Sequence, residues 1–325
     1  MKNKIDLSII IVNYNTFSLT QQCINSIVTE TKTINYEIIV VDNASSEKKT
    51  EELLTISPLV QLIKNKNNLG FGIANNIGMK ASKGDYILLL NSDTIIIDAG
   101  IDKSFQFISS STEIDVLTCR QLNEDRKPFV PASFYFKDNS IFTYLAGNPI
   151  QQLIKSKLNK SFFKELKKST YVNSLSGAFM LLKKDVFNVT KGFDPDFFMY
   201  YEETEWCMRI NKRFKQFYLH DVSFIHFHGK SAERDLMQKQ MILSQGLFWY
   251  KSGYLKYIFF ILSTYLFFIP SWLILRIFSI KKSSRLHFSK YIKLYFALLP
   301  YFTFTIPNSK KSYESRKEFL KLKEI

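Results

Sequence analysis

The first hundred residues carry four apolar runs, and polar residues gather at the carboxyl end of each. Leu7 to Val12 closes on Asn13, Tyr14 and Asn15. Glu37 to Val41 closes on Asp42, Asn43, Ala44 and Ser45, and Val60 to Ile63 leads into the Asn- and Gly-rich segment 65–72. Tyr86 to Leu90 closes on Asn91, Ser92 and Asp93. Apolar, β-branched runs without polar alternation are what strands buried on both faces look like. After the first run, Leu19, Cys23 and Ile27, with Ile24 and Val28, recur at helical spacing, and Thr16 or Ser18 can cap that helix. Helix-compatible sequence also runs to Ala81. Alternating strand and helix predict an α/β fold, a doubly wound and mainly parallel sheet flanked by helices. In such a sheet ligands sit outside the carboxyl ends of the strands.

Farther along, the periodicity weakens between about Glu113 and Thr170, where a basic, aromatic stretch from Phe134 to Lys168 gives no firm element and predicts loops. Regular pattern returns at Leu175 to Leu182, in an amphipathic helix around Glu203 to Arg213, and in short strands near Phe217 and Val222 to Phe227. After Ser231 the character changes. A helix leads into Tyr257 to Leu275, a stretch free of charge, followed by Arg276, Lys281, Lys282 and Arg285. The expected division is residues 1–231 as one α/β domain and 232–325 as a helical, apolar and basic region that associates with a membrane.

With 325 residues, 46% of them hydrophobic, the chain can bury one large α/β core, or a medium core plus an appendage. The formal charge of +15 favours an anionic partner. A nucleic-acid binder would cluster that charge on a recognition element. Here Lys and Arg gather beside the apolar tail segments, which suits an anionic bilayer and argues against nucleic acid. Three widely spaced cysteines, Cys23, Cys119 and Cys207, give neither a disulfide framework nor a CxxC site, so a reducing cytoplasm is the expected home. The N-terminal apolar run is too short, and lacks the small-residue cleavage site, for a secretory signal.

Several polar groups could carry chemistry. Asp42, at the end of a buried strand, is placed to accept hydrogen bonds from a base or ribose, although Asp-Asn-Ala-Ser also favours a turn. Asp93 at a strand exit could bridge a hard divalent cation to a diphosphate, and a plain turn would look much the same. Glu202, Glu203 and Glu205 open a helix, where acids ordinarily serve the helix dipole. Their aromatic neighbours Phe197, Phe198, Tyr200 and Tyr201 could instead desolvate one carboxylate into a general base. His226 and His228 stand two apart, so a regular strand points both rings to one face. They make a metal site only if the fold brings Asp93 close. The GxG at Gly70-Phe71-Gly72 does not extend to GxGxxG and follows a third strand, which argues against a dinucleotide-binding oxidoreductase.

Taken together in their order, these segments resemble glycosyltransferase family 2, with the GT-A fold, and more narrowly its bacterial rhamnosyltransferase-like branch. The resemblance covers about residues 5 to 231. SIIIVNYNT is similar to the family's first strand, VVDNASS to its nucleotide-binding second strand, and NNLGFGIANNIGMKASKGDYILLLNSDT to the run into its DXD-like motif. SGAFMLLKKDVF followed by GFDPDFFMYYEETEWCMR resembles the acceptor-side and catalytic block, and HFHGKS the H-x-x-G-x-S segment of the metal loop. By this resemblance Asn13, Tyr14, Asp42, Asn43 and Ser45 hold the nucleoside, Asn75 and Asn76 line the donor pocket, and Asn91 and Ser92 lie in the donor-side motif. Asp93 binds Mg2+ or Mn2+ on the diphosphate, assisted by His226 by motif spacing or by His228 as the alternate. Glu203 stands where the family has the Asp of its Glu-Asp pair, with Glu202 open as the working base, and Glu205 matches an acidic position two residues on. Asn91 replaces the first acid of the DXD motif, which leaves Asp93 as the main protein carboxylate.

The implied reaction is an inverting, metal-dependent sugar transfer without a covalent enzyme intermediate. The implied donor is dTDP-rhamnose, with a UDP-hexose as the alternative, and the acceptor is a polyprenyl-diphosphate-linked glycan of a bacterial surface polysaccharide. A protein that kept the nucleotide-sugar pocket without turnover is the rival reading, and the three acids argue against it. Tyr257 to Leu275 would reach about 28 Å as a helix, close to the hydrocarbon thickness of a bilayer, but Pro270 lies within it. In-plane or re-entrant attachment at the inner, cytoplasmic leaflet is therefore expected over a full span. A second apolar stretch, Leu294 to Ile306, is too short to span and carries Pro300.

Overall fold

The computed structural model describes residues 4–47, 49–129, 165–227, 234–280 and 282–305. These fall into two compact units, one built from residues up to 129 and from 165 to 227, the other from residues 234 onward.

The first unit is a mixed sheet between helices. Its elements are β1 (Leu7–Asn13), α1 (Phe17–Glu30), β2 (Tyr36–Asp42), a 3-10 turn (Thr50–Thr55), β3 (Val60–Lys64), α2 (Phe71–Ala81), β4 (Tyr86–Asn91), β5 (Thr94–Ile96) and α3 (Gly100–Ser110). They continue with β6 (Val116–Leu122), β7 (Thr170–Val172), β8 (Phe179–Lys183), α4 (Lys184–Thr190), α5 (Glu202–Ile210) and β9 (Gln216–His226). The strand order is β3-β2-β1-β4-β8-β6-β9-β5, with β7 beside β9. Pairing is parallel from β3 to β4 and between β6 and β9, while β8 runs antiparallel to both its neighbours.

Side chains alternate across the central strands, as the two-residue period requires. Ile9, Ile11, Val40 and Leu88 pack with Cys23, Ile24 and Ile27 of α1 on one face. Ile10, Val41 and Leu89 pack with Ala74 and Met79 of α2 and with Trp206 and Ile210 of α5 on the other. The contact with α2 is close. A Cβ on Gly78 would lie 2.3 Å from Ile10 Cγ2, so only glycine lets the helix settle there. The chain leaves β1 toward β2 and returns to β4 on the opposite side, which puts a topological switch point at the carboxyl ends of β1 and β4.

The expected loop region contains a strand. Val116 to Leu122 is β6, buried for nearly all its length, and residues 130–164 lie outside the described residues. Its mixed composition, with Thr118, Arg120 and Gln121 among apolar residues, hid it from a search for apolar runs. The catalytic-block helix begins at Glu202 and ends at Ile210, earlier than the pattern predicts.

The second unit comprises α6 (Arg234–Lys251), α7 (Tyr254–Ser263), a π-helical stretch (Thr264–Phe268), α8 (Ile269–Phe278), α9 (Lys282–Pro300) and a π turn (Tyr301–Thr305). Residues Tyr254–Phe278 form a continuous helical segment of 25 residues with mean hydropathy 2.1. Pro270 does not break it, because proline in the first turn of α8 follows a π stretch that already departs from the i to i−4 pattern. Trp272 stacks on Tyr291 of α9 with ring centroids 4.5 Å apart, and the Tyr257 hydroxyl donates to the Phe302 carbonyl, so the segment folds back on α9 within this unit.

Candidate active site

Two loops meet where β1 and β2 end side by side, with Asn13 opposite Asp42. Asn13 Nδ2 donates to Asp42 Oδ1 at 2.9 Å and to Ser45 Oγ at 3.0 Å, and Ser45 Oγ donates to the same Oδ1 at 2.5 Å. Both bonds fall on Oδ1, leaving Oδ2 as the acceptor for a ligand's N–H or O–H. On its other side, Asn13 Oδ1 accepts from Thr20 at 2.8 Å and Thr16 at 3.1 Å, and the Thr16 hydroxyl lies 3.1 Å from that of Ser92. A hydrogen-bonded array therefore runs from Asp42 to the end of β4.

Thr16 is consequently not the helix cap its position suggests. Its hydroxyl serves Asn13 and Ser92, and the Glu47 carboxylate accepts from the first helical amide, Phe17 N, at 3.0 Å. Tyr14 is 40% exposed at the lip of these loops. Next to it, Asn15 adopts φ 54°, and its Oδ1 accepts from Ser46 N at 2.8 Å. Asparagine is one of the few side chains that tolerates that region.

Asn43 has a different task from the one expected. It is buried, donates from Nδ2 to Asn68 Oδ1 and the Gly70 carbonyl, and accepts at Oδ1 from Leu69 N and Asn65 Nδ2. All four hydrogen-bonding valences of its amide are filled, so it shapes the 65–70 loop and reaches a ligand only through that loop. Gly70, at φ 88°, lets the loop touch the segment before α5, where a Cβ would lie 2.3 Å from the Phe198 carbonyl oxygen. Asn75 donates back to the Phe71 carbonyl of its own helix. Asn76 donates to the Phe193 carbonyl at 2.8 Å and accepts from Phe193 N at 2.9 Å. Both ends of that amide fasten α2 to the chain entering the acidic segment.

The second focus forms where the chain turns from β4 into β5. Thr94 pairs with His226, and Phe227 N donates to the Asp93 carbonyl at 3.0 Å. This pairing brings Asp93 and His226 together, with Nε2 2.9 Å from Oδ1 and both residues buried. His226 Nδ1 lies 2.8 Å from Gln121 Nε2, and Asn91 Nδ2 lies 3.4 Å from His226 Nε2. His228 lies outside the described residues.

Asp93 and His226 fit a divalent ion shared with a ligand. Adjacent ligands of an octahedral Mg2+ site, each about 2.0–2.1 Å from the metal, stand about 2.8–3.0 Å apart, which is the spacing seen between Oδ1 and Nε2. Asn91 Oδ1 is buried without a hydrogen-bond partner, a carbonyl oxygen of the kind that a hard cation or its water takes up. Among the described residues no group of three His, Cys, Asp or Glu side chains is gathered, so phosphate oxygens and water would have to complete the shell.

The third focus is acidic. Tyr200 and Tyr201 both adopt left-handed φ, 68° and 67°, immediately before α5. Two consecutive aromatic residues in that region cost on the order of 1–3 kcal/mol each, a strain found where surrounding structure imposes it. The turn delivers Glu202 into the interior, where its Cβ lies 3.8 Å from the position a Cβ on Gly72 would occupy, and its Oε2 is buried without a partner. Burial, then the neighbouring Glu203 charge, raises the Glu202 carboxyl well above the usual range. Glu203 is half-buried and is also raised by burial. Tyr200 is pushed up to about 12 by burial and then by these two acids. A helix N-terminus would lower both acids, but that effect is worth about 0.3–1 kcal/mol at an exposed site, and desolvation outweighs it here.

Glu205 has a separate structural role. Arg209 grips it through Nε at 2.7 Å and Nη2 at 2.8 Å, and also donates to the carbonyls of Thr190 and Gly192. This fork ties α5 to the end of α4 and its following turn. Glu203 connects to the second focus by backbone. A Cβ on Gly177 would stand 3.9 Å from Glu203 Cβ, and the next residue, Ala178, accepts from Asn91 N at 3.1 Å. Gln121 and Thr20 are participants that the sequence pattern does not single out, and Thr16 is visible in it only as a helix cap. Their roles depend on strand pairing and on hydroxyl partners far away in the chain.

The family model of glycosyl transferase family 2 matches residues 8–189, more than half of the chain, and the chain belongs to that family. Among relatives, it is 27% identical over 228 residues to the dTDP-rhamnosyl transferase RfbF of Shigella flexneri, covering 69% of each chain. It spans 61% and 57% of the length of uncharacterized glycosyltransferases from Haemophilus influenzae and Methanocaldococcus jannaschii. Each is 28% identical, over 54% and 47% of this chain. Among solved structures, S. aureus TarS 1-349 superposes with a TM-score of 0.54 at 14% identity, over 94% of this chain and 74% of that one. GalNAc-T7 with UDP, GalNAc and Mn2+ superposes with a TM-score of 0.51 at 16% identity, over 70% and 44%. These two likenesses show the GT-A-like fold.

Proposed function

We propose that the chain transfers a sugar from a nucleoside diphosphate to an acceptor hydroxyl with inversion at the anomeric carbon. The observation that carries this reading is the continuity of the site. One hydrogen-bonded array links Asp42 to Ser92, Asp93 and His226 follow it at the turn into β5, and the acid pair, Glu202 and Glu203, adjoins the same strand end through Gly177 and Ala178.

Asp42 Oδ2 would accept from the imide N–H shared by uracil and thymine, or from a ribose hydroxyl, and Tyr14 offers an aromatic face at the lip. Asp93 and His226 would hold Mg2+ or Mn2+, which when bound neutralises charge on the diphosphate. Glu203 takes the proton from the acceptor hydroxyl as that oxygen bonds to the anomeric carbon. The bond from that carbon to the diphosphate breaks, its electron pair leaves with the diphosphate, and no covalent enzyme intermediate forms. Glu203 is favoured over Glu202 because it is half-buried and can be approached, whereas Glu202 is enclosed. Burial is what raises the Glu203 carboxyl and makes it a stronger base.

The donor is dTDP-rhamnose, a reading supported by the similarity to RfbF, and a UDP-hexose is the alternative. The acceptor is a polyprenyl-diphosphate-linked glycan of a surface polysaccharide, met at the cytoplasmic face of the cell membrane. Residues 1–231 form the catalytic domain and 232–325 the membrane-associating region. The support lies within the second unit: Leu255, Ile277, Phe278 and Ile280 are largely exposed on or beside an apolar helix, and Arg276, Lys282, Arg285, Lys290 and Lys293 accompany them. Exposed apolar surface rimmed by basic residues suits an anionic bilayer.

Purified full-length protein offered a panel of dTDP- and UDP-sugars, with nucleoside diphosphate release as the readout, tests this. Release from dTDP-rhamnose, abolished by EDTA and restored by Mn2+, is expected. Turnover that persists in chelator would remove the metal role, and no turnover with any donor would remove the transferase reading.

A further inference from the structure

We infer that Gln121 is a positioning residue that sets which nitrogen of His226 carries the ring proton, and so whether the Nε2 lone pair is open to a divalent cation, an inference resting on the metal-assisted reading above. The position arises from an irregularity between β6 and β9. Cys119 pairs with Leu219, yet the next residue, Arg120, pairs with Ser223, so three extra residues, His220, Asp221 and Val222, are accommodated in β9. Three residues of strand cover about 10 Å. In unshifted register Gln121 would face Asp221, with His226 far along the strand. In the observed register it faces Phe224, and His226 follows two residues later on the same face of β9. The long Gln side chain bridges that interval, and its amide meets Nδ1 at 2.8 Å in a buried contact. The bulge therefore has a chemical product, the juxtaposition of an amide and an imidazole from strands that otherwise would not align them.

A primary amide at this place can serve either form of the ring. With Nε2 toward the imidazole, it donates to Nδ1, the ring proton sits on His226 Nε2, and that proton is donated to Asp93 Oδ1 at 2.9 Å. Turned by 180°, the amide presents Oε1, accepts from Nδ1–H and leaves the Nε2 lone pair facing the carboxylate. A cation held between Asp93 and His226 requires the second form. An apolar residue of equal size would support neither, and a carboxylate would support only the second.

Mn2+ serves as the probe, titrated into full-length protein with saturating dTDP, free Mn2+ being followed by its electron paramagnetic resonance signal. Gln121→Leu is expected to weaken Mn2+ binding about 10- to 100-fold, as loss of the group orienting a metal-bound histidine typically does, while Gln121→Glu stays within about threefold of the parent or binds tighter. Thermal melts establish that the variants are folded. If the Leu variant does not fold, Gln121→Asn, too short to reach Nδ1, takes its place with the same expected loss. Equal Mn2+ affinity in the parent and the Leu or Asn variant overturns the inference, as does an equal loss in the folded Glu variant. A parent protein that takes up no Mn2+ at all overturns the metal-assisted reading, and this inference with it.

Discussion

The ends of β1 and β2 and the start of α5 both present buried carboxylates, and they treat them in opposite ways. Around Asp42 the hydrogen bonds close on one another: Asn13, Ser45, Thr16 and Thr20 satisfy each other at 2.5–3.1 Å. Around Glu202 and Glu203 the backbone is strained, one carboxyl oxygen has no partner, and burial pushes both acids up. The first arrangement holds a shape, while the second holds a proton affinity. A region built for recognition can satisfy its polar groups before a ligand arrives. A region built for proton transfer needs a group left short of partners, since full satisfaction would stabilise the carboxylate and lower its basicity.

Removing the proposed base, Glu203, is the largest way to break this contrast. Glu203→Gln is expected to lower kcat about 10²- to 10⁴-fold with donor affinity nearly kept, measured by steady-state nucleotide release. Should Glu202→Gln show that loss instead, the base moves one residue. In the parent, activity is expected to fall as pH drops through the raised Glu203 value, because a base works only when deprotonated. The Gln variant's residual rate should lack that limb.

A smaller effect sharpens the structural side. Asn76→Ala strands the N–H and carbonyl of the buried Phe193, and about 2–4 kcal/mol of stability should be lost in a denaturant titration. KM for the donor should hardly move, whereas a residue lining the donor pocket would move KM first.

The smallest effect is a stabilisation. A folded carboxyl raised above its unfolded value of about 4.3 keeps a proton that the unfolded chain releases, so stability falls as pH rises between the two values. Glu202→Gln cannot ionise. Its melting temperature is expected to match the parent's near pH 4 and to exceed it increasingly toward neutrality, by about 2–4 °C for each kcal/mol removed. A variant less stable than the parent at neutral pH would show that the Glu202 carboxylate is supported, contrary to the contrast drawn here.

The first four strands are legible because each is buried on both faces and announces itself as an apolar run. β6 is not, since Thr118, Arg120 and Gln121 break its pattern, and β5 and β7, with three residues each, are shorter than any periodicity can register. Asp93 and His226 can each be suspected from sequence, but their meeting depends on pairing β5 with β9. The acids of α5 are equally visible as letters, yet only partners separate them: Glu205 is gripped by Arg209, and Glu202 has an oxygen with none. The same holds for the asparagines. A polar residue after a strand signals a place for polar work, and its hydrogen bonds decide whether its side chain is left open to a ligand, as at one oxygen of Asp42, or is spent within the protein, as at Asn13 and Asn43.

The chain of contacts from Asp42 through Asn13 and Thr16 to Ser92 also makes the site a ruler. Its two ends are held at a fixed separation before anything binds, so on the proposed reading a nucleoside held at one end would present its attached phosphates to the other at a high effective concentration. A nucleoside and free phosphate supplied separately would each forgo that advantage, and their affinities would not combine to that of the joined molecule. Selection by such a site would act on length as much as on chemistry, and a single threonine hydroxyl, that of Thr16, joins its two halves.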